Sequence, residues 1–204
     1  MFVLILLSLL FISKEDKLQN IQTKPLSEDA KILAFGDSLT YGKGSPNQSY
    51  PLQLQDLLNL KVINAGISGE ASSQGLKRLP RLLEKYKPEL VILCHGGNDL
   101  IRNNSKTILK NNLMTMIHLS VESGAQVLLV GVPNYKFFRF STESLYEELA
   151  EAQKVMYEGN ILSKIENDTS LKSDRIHPNS KGYGVMAKAF YEVLKDNKIL
   201  PKVP

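Results

Sequence analysis

Residues Lys31–Gly44 read KILAFGDSLTYGKG. Ile32 to Phe35 form a short apolar run, the pattern of a strand buried on both faces, and Gly36 ends it. Asp37 and Ser38 then stand at the mouth of a turn, which puts a hydroxyl at the carboxyl end of a buried strand. In open α/β sheets ligands bind at that edge, because helices cover both faces and only the loops at the strand ends can form a crevice. A helix beginning after Ser38 would aim its amide groups at the hydroxyl and favour negative charge there. Ser38 is therefore a candidate nucleophile. The competing reading of the same letters is a plain turn, with Gly supplying a permissive backbone and Asp and Ser bonding nearby amides. Two other motifs fail on these residues. Five residues separate Gly36 from Gly42 and Gly44 follows Lys43, so the phosphate-binding P-loop spacing is absent. Leu39 and Thr40 stand where a G-x-S-x-G nucleophile elbow needs x-Gly.

Outward from this strand the chain alternates strand and helix. Ser49-Tyr50-Pro51 opens a helix whose apolar side is Leu52, Leu54, Leu57 and Leu58. Lys61 to Ala65 reads as a second strand. Ser72 to Tyr86 has a helical pattern that Pro80 is expected to break or kink. Glu89 to Cys94 is the third strand, Ser105 to Glu122 a helix ended by Gly124, and Gln126 to Val132 the fourth strand. Thr142 to Gln153 follows as helix, Val155 to Glu158 as a short fifth strand, and Ser180 to Asn197 as a closing helix with Tyr183, Met186, Ala187, Phe190 and Leu194 inward. Near-continuous apolar strands joined by helices predict an α/β fold, a parallel sheet of about five strands between two helical layers.

The length of 204 residues suits one domain with a substantial core, and 43% hydrophobic with 23% charged residues is ordinary globular composition. The net charge of +4 comes from scattered lysines without a basic stripe or interleaved stacking aromatics, so no nucleic-acid partner is expected. At the N-terminus, the eleven residues Phe2 to Ile12 fit the core of a signal peptide but fall short of the roughly 20 needed to span a bilayer. No Lys or Arg precedes them, no small-x-small cleavage site follows, and no nearby cysteine could carry a lipid. Residues 1–13 are read as a signal or anchor segment and a route to membrane association, which favours export over a cytoplasmic location. Residues 14–30 are read as a polar linker and 31–204 as the domain.

Three further segments place polar residues just beyond an element boundary. NAGISGEASSQG, after the second strand, sets Gly66 and Gly69 in a loop whose amides could face the crevice. HGGND, after the third, sets Asn98 at the same edge. SDRIHPN, before the last helix, holds Asp174 and His177 three residues apart, either a solvated surface pair or a base with its orienting carboxylate. Together these segments contain the parts of an acyl-transfer site: Ser38 to attack, His177 to take and return the proton, Asp174 to hold the imidazole. The amides of Ser38 and Gly69 and the side-chain amide of Asn98 would face the oxyanion, and glycine at 69 lets the backbone come close.

Four blocks, GDSL at 36–39, NAGISGEASSQGLKRLP at 64–80, GGND at 96–99 and DRIHP at 174–178, resemble in order and spacing those of the SGNH or GDSL hydrolases. The likeness is greatest to the bacterial thioesterase I, lysophospholipase and arylesterase branch. It implies a flavodoxin-like three-layer α/β/α fold, Ser38 as nucleophile, Gly69 and Asn98 as oxyanion donors, Asp174 and His177 as the rest of the triad, and no metal or organic cofactor. It also implies that Asp37 supports its loop and is neither acid nor base. By the same resemblance the loop PNYKFFRF at 133–140 borders an acyl groove, with Tyr135, Phe137, Phe138 and Phe140 either lining that groove or capping the core. His95 either lines the crevice or ends its strand half-buried. His118 reads as structural within its helix, and Cys94 as a small buried apolar residue that leaves no internal disulfide. No metal-binding spacing is present.

The function expected is therefore hydrolysis of short to medium acyl esters, with lysophospholipids and thioesters as further candidates. A carbohydrate O-acetyl esterase would use the same residues in a shallower, more polar groove. A binding module that has lost the chemistry would keep only the fold.

Overall fold

The computed structural model describes residues 23–134 and 140–201. Its first strand is β1 (Lys31–Gly36), in which Ile32, Leu33, Ala34 and Phe35 expose no surface. Burial on both faces explains why the run is continuous rather than alternating. It pairs in parallel with β2 (Lys61–Gly66) on one side and β3 (Leu90–Cys94) on the other. β4 (Gln126–Val130) and β5 (Met156–Glu158) extend the sheet, giving the order β2-β1-β3-β4-β5 with every pairing parallel. This is the flavodoxin-like order, and its direction reverses between β1 and β3, where such sheets open a crevice.

The register aligns Gly36 with both Gly66 and Cys94. Three strands thus end level, and the segments that leave them at Asp37, Ile67 and His95 emerge side by side. After β1 comes the single turn α1 (Ser38–Tyr41), then α2 (Tyr50–Leu58); α3 (Ser72–Tyr86) follows β2. α4 (Gly97–Ile101) and α5 (Lys106–Glu122) follow β3, α6 (Ser144–Gln153) follows β4, and α7 (Ile161–Glu166) and α8 (Ser180–Asp196) follow β5. α2 packs on α8 against one sheet face, with Tyr50 edge-on to Phe190 at 5.1 Å; α3, α5 and α6 cover the other.

Several boundaries differ from the sequence-based expectation. β4 ends at Val130, because Pro133 lacks the N–H a ladder needs and makes only an isolated bridge to Thr142, which delays α6 to Ser144. α3 runs through Pro80 without interruption. Pro80 lies on the exposed side while Leu79 and Leu83 are buried, and those two side chains, at about 1.5–3 kcal/mol each, offset the roughly 3 kcal/mol of an internal proline. Part of the expected linker is also domain. Leu26 is 3% exposed and donates its N–H to Ile199 O, Ala30 is buried, and Lys24 exchanges two backbone hydrogen bonds with the side chain of Gln126. Among the described residues, no helix is long and apolar enough to cross a membrane.

Candidate active site

Asp37 caps α1 by accepting the Leu39 N–H, and Ser38 is the first residue of that turn, half-buried at the sheet edge. The facing group arrives from the far end of the chain. Lys172 and Pro178 form an antiparallel bridge, Ser173 donates its N–H to His177 O, and the tight loop between them turns the His177 ring toward Ser38. His177 Nε2 lies 3.1 Å from Ser38 Oγ, and His177 Nδ1 lies 2.7 Å from Asp174 Oδ2. Asp174 Oδ1 also accepts the N–H groups of Ile176 and His177, both at 2.9 Å.

The protonation state follows from these contacts. Desolvation pushes the Asp174 carboxyl upward, but the Ile176 N–H, the imidazole and the His177 N–H more than reverse it and hold it at about 2. An ionised carboxylate can only accept, so Nδ1 carries the proton and Nε2 presents its lone pair to the Ser38 hydroxyl. The serine, imidazole and carboxylate are therefore arranged to remove a proton from Oγ.

Gly69 and Asn98 reach the same place. With Asp37, Ser38, Leu39, Lys43, Gly97, Ile101, Ile176 and His177 they line one cavity of about 130 Å³. Gly69 has φ +79°, a conformation that favours glycine, and an added Cβ would meet only Arg102 Nη2 at 3.7 Å. Its backbone geometry is therefore the stronger reason for the residue type than the closeness expected from sequence. The N–H groups of Ser38 and Gly69 have no acceptor among the described residues. The Asn98 amide donates to Asp37 Oδ2 at 3.2 Å and to Glu70 O at 3.1 Å, long bonds from which one hydrogen can turn to an incoming oxyanion. Asp37 is 4% exposed; burial raises its carboxyl pKa against the opposing pull of His95, the Leu39 N–H and Asn98. It binds two donors and does not touch Ser38 Oγ, which agrees with a supporting role.

Ile101 and Ile176 also line a neighbouring groove of about 940 Å³, whose other borders are Phe140, Thr169, Lys172, Ser173, Asp174 and Arg175. Phe140 is fixed by Asn167, which exchanges hydrogen bonds with its backbone. Tyr135, Phe137 and Phe138 lie outside the described residues. Sequence reasoning missed Ile101, Ile176 and Lys43. Ile176 carried a usable signal, since a residue between Asp174 and His177 in one turn must flank whatever they face. His95 neither lines the crevice nor is half-buried: its ring has no exposure and bonds Glu70 at 3.2 Å. His118 is exposed and pairs with Gln153, and Cys94 is buried. Among the described residues no group of three or more His, Cys, Asp or Glu could hold a metal ion.

Residues 34–185 match the model of the GDSL-like lipase/acylhydrolase family. An arylesterase of Vibrio mimicus is 35% identical over 159 residues, 72% of this chain and 80% of that one. The thioesterase 1/protease 1/lysophospholipase L1 of Escherichia coli (strain K12) is 31% identical over 156 residues, 72% and 75% of the two chains. The crystal structure of the psychrotrophic esterase EstA from Pseudoalteromonas sp., inhibited by monoethylphosphonate, superposes with a TM-score of 0.74 at 28% identity, covering 83% of this chain and 99% of that one. With its four blocks gathered at one sheet edge and the match running through all of them, this chain belongs to the GDSL-like lipase/acylhydrolase family and is a carboxylic ester hydrolase.

Proposed function

We propose that this enzyme cleaves acyl esters through a covalent intermediate on Ser38, with His177 as general base and then general acid. The observation that carries this reading is the 3.1 Å approach of His177 Nε2 to Ser38 Oγ while Nδ1 is held by an ionised Asp174. Oγ attacks the carbonyl carbon as its proton passes to Nε2. The carbonyl oxygen gains negative charge facing the Ser38 and Gly69 N–H groups and the Asn98 amide, and Asp174 stabilises the imidazolium. Collapse expels the alcohol, which takes the proton from Nε2, and water then repeats the sequence to free the acid.

A cavity of about 130 Å³ is below the 300–1,000 Å³ of pockets that enclose a whole small-molecule ligand, so it receives the reacting ester and little else. The rest of the substrate must lie in the open groove, where Ile101, Ile176 and Phe140 offer an acyl chain apolar contact beside the polar Thr169, Lys172, Ser173, Asp174 and Arg175. The preferred substrates are short to medium acyl esters, lysophospholipids and thioesters included. The apolar run Phe2 to Ile12 supports export of the protein, where lipid or envelope esters are available and acyl-CoA is not. The test is hydrolysis of p-nitrophenyl acetate, butyrate and octanoate with acetylated xylan as competitor substrate. Turnover of the butyrate and octanoate that is lost in Ser38→Ala supports the reading. Equal rates in Ser38→Ala, or turnover of the acetylated sugar alone, would overturn it.

A further inference from the structure

Glu70 follows Gly69 in the loop after β2, yet its carboxylate turns away from the cavity and is 6% exposed. A buried carboxylate is costly unless it is paired and hydrogen-bonded on all sides. Here three donors surround it. Arg78, from α3, gives Nε to Oε1 at 2.8 Å and Nη2 to Oε2 at 2.6 Å. His95, at the end of β3, supplies the third. Gly96 N–H donates to His95 Nδ1 at 2.9 Å, so the ring proton sits on Nε2 and points at Glu70 Oε2.

Neither partner has freedom to follow a moving loop. The Arg78 guanidinium also donates from Nη2 to Ala65 O at 2.9 Å and Gly36 O at 3.2 Å, the next-to-last carbonyl of β2 and the last of β1, and lies 4.1 Å above the Phe35 ring. The planar fork and the stacking are properties lysine lacks. His95 is enclosed by α3, where a Cβ on Gly75 would come within 2.4 Å of Nε2. The ends of three strands and one helix therefore converge on a single carboxylate. That residue's main chain is in turn bound to the oxyanion donors. Its N–H closes the turn to Ile67 O that contains Gly69, and its carbonyl accepts the Asn98 amide at 3.1 Å.

We propose that Glu70, anchored by Arg78 and His95, is the positioning residue of the oxyanion site, setting Gly69 and Asn98 at the distance from Ser38 that the tetrahedral intermediate requires. It touches neither substrate nor Ser38 and acts only through those two neighbours. This inference rests on the reaction proposed at Ser38. Oxyanion donors stabilise the transition state more than the bound substrate, so their displacement lowers kcat and spares KM. A shift of about 1 Å in such a group costs about 10²-fold.

The experiment compares wild type, Glu70→Ala, Glu70→Gln and Arg78→Lys on p-nitrophenyl butyrate, with active sites titrated by a fluorophosphonate and thermal unfolding recorded for each. The expected result is a kcat per titrated site about 10²-fold lower in Glu70→Ala, with KM within about threefold. Glu70→Gln, which keeps one acceptor for the Arg78 fork, should recover about tenfold of that loss. Arg78→Lys, which keeps the charge but not the fork, should resemble Glu70→Ala, and it decides the matter if Glu70→Ala does not fold. Unchanged kcat per titrated site in the folded variants, whatever their Tm, would overturn the proposal and make the cluster a structural brace. A wild type that neither titrates nor turns over would instead overturn the reading of Ser38.

Discussion

At the residue scale the account turns on which groups carry charge. Asp174, with its carboxyl held at about 2, stays ionised throughout the range in which the fold is expected to survive. Its depressed value means that the stability it contributes is present above the ordinary carboxylate range and is lost only as pH falls through about 2. With the side chain 49% exposed that contribution is small. Asp174→Asn leaves Oδ1 on the Ile176 and His177 N–H groups and turns an amide donor toward Nδ1, which selects the wrong tautomer and should lower kcat about 10²- to 10⁴-fold with the Ser38 adduct still detectable after long exposure. Asp37 has the opposite sign. Burial raises its carboxyl, so the stability linked to it is present at low pH and lost as pH rises through the folded-state value. Asp37→Asn should unfold no earlier than wild type at pH 7, lose that advantage in acid, and turn over about tenfold more slowly, because one oxygen must now serve both Leu39 and Asn98.

At the scale of elements, the site is a product of strand register. Gly36, Gly66 and Cys94 end level, and this alone brings Ser38, Gly69 and Asn98 together from positions spread over 61 residues. β1, β3 and β4 were legible because each is an apolar run closed by a Gly within two residues, while the flavodoxin-like arrangement was implied by the resemblance alone. The end of β4 and the start of α6 were not, since Pro133 acts on the ladder through a missing N–H that hydropathy does not register. Glu70 and Arg78 were also hidden: eight residues apart on a loop and a helix, they look like ordinary surface charges until the fold buries one of them. Lys172 is a further case. It pairs at 2.7 Å with Glu166, both nearly buried, and so ties the loop bearing Asp174 and His177 to α7. Lys172→Met strands that carboxylate and should cost about 3–5 kcal/mol, read by urea unfolding at pH 7, while Glu166→Gln with Lys172→Met should recover much of it. An effect below 1 kcal/mol would mean that water reaches Glu166.

At the scale of the whole molecule, the four blocks made the family readable before any coordinates, and the candidate set of Ser38, Asp174 and His177 came from polar residues placed just beyond element boundaries, with the resemblance adding to it. What remained hidden was the base of the domain. Residues 23–30 are polar enough to pass for a linker, but Leu26 enters the core beside α8, a contact between chain ends that no local pattern announces. Leu26→Ala should lower stability by about 2–3 kcal/mol, a drop in Tm of about 4–10 °C, without changing kcat. No shift in Tm would return that segment to the status of linker.

The central claim is that His177 activates Ser38, and reaction with a fluorophosphonate followed by peptide mass spectrometry tests it most directly. The prediction is one adduct per chain, on Ser38, formed rapidly in wild type and essentially absent in His177→Ala. An adduct on another residue, or one on Ser38 that forms as fast without His177, would contradict it.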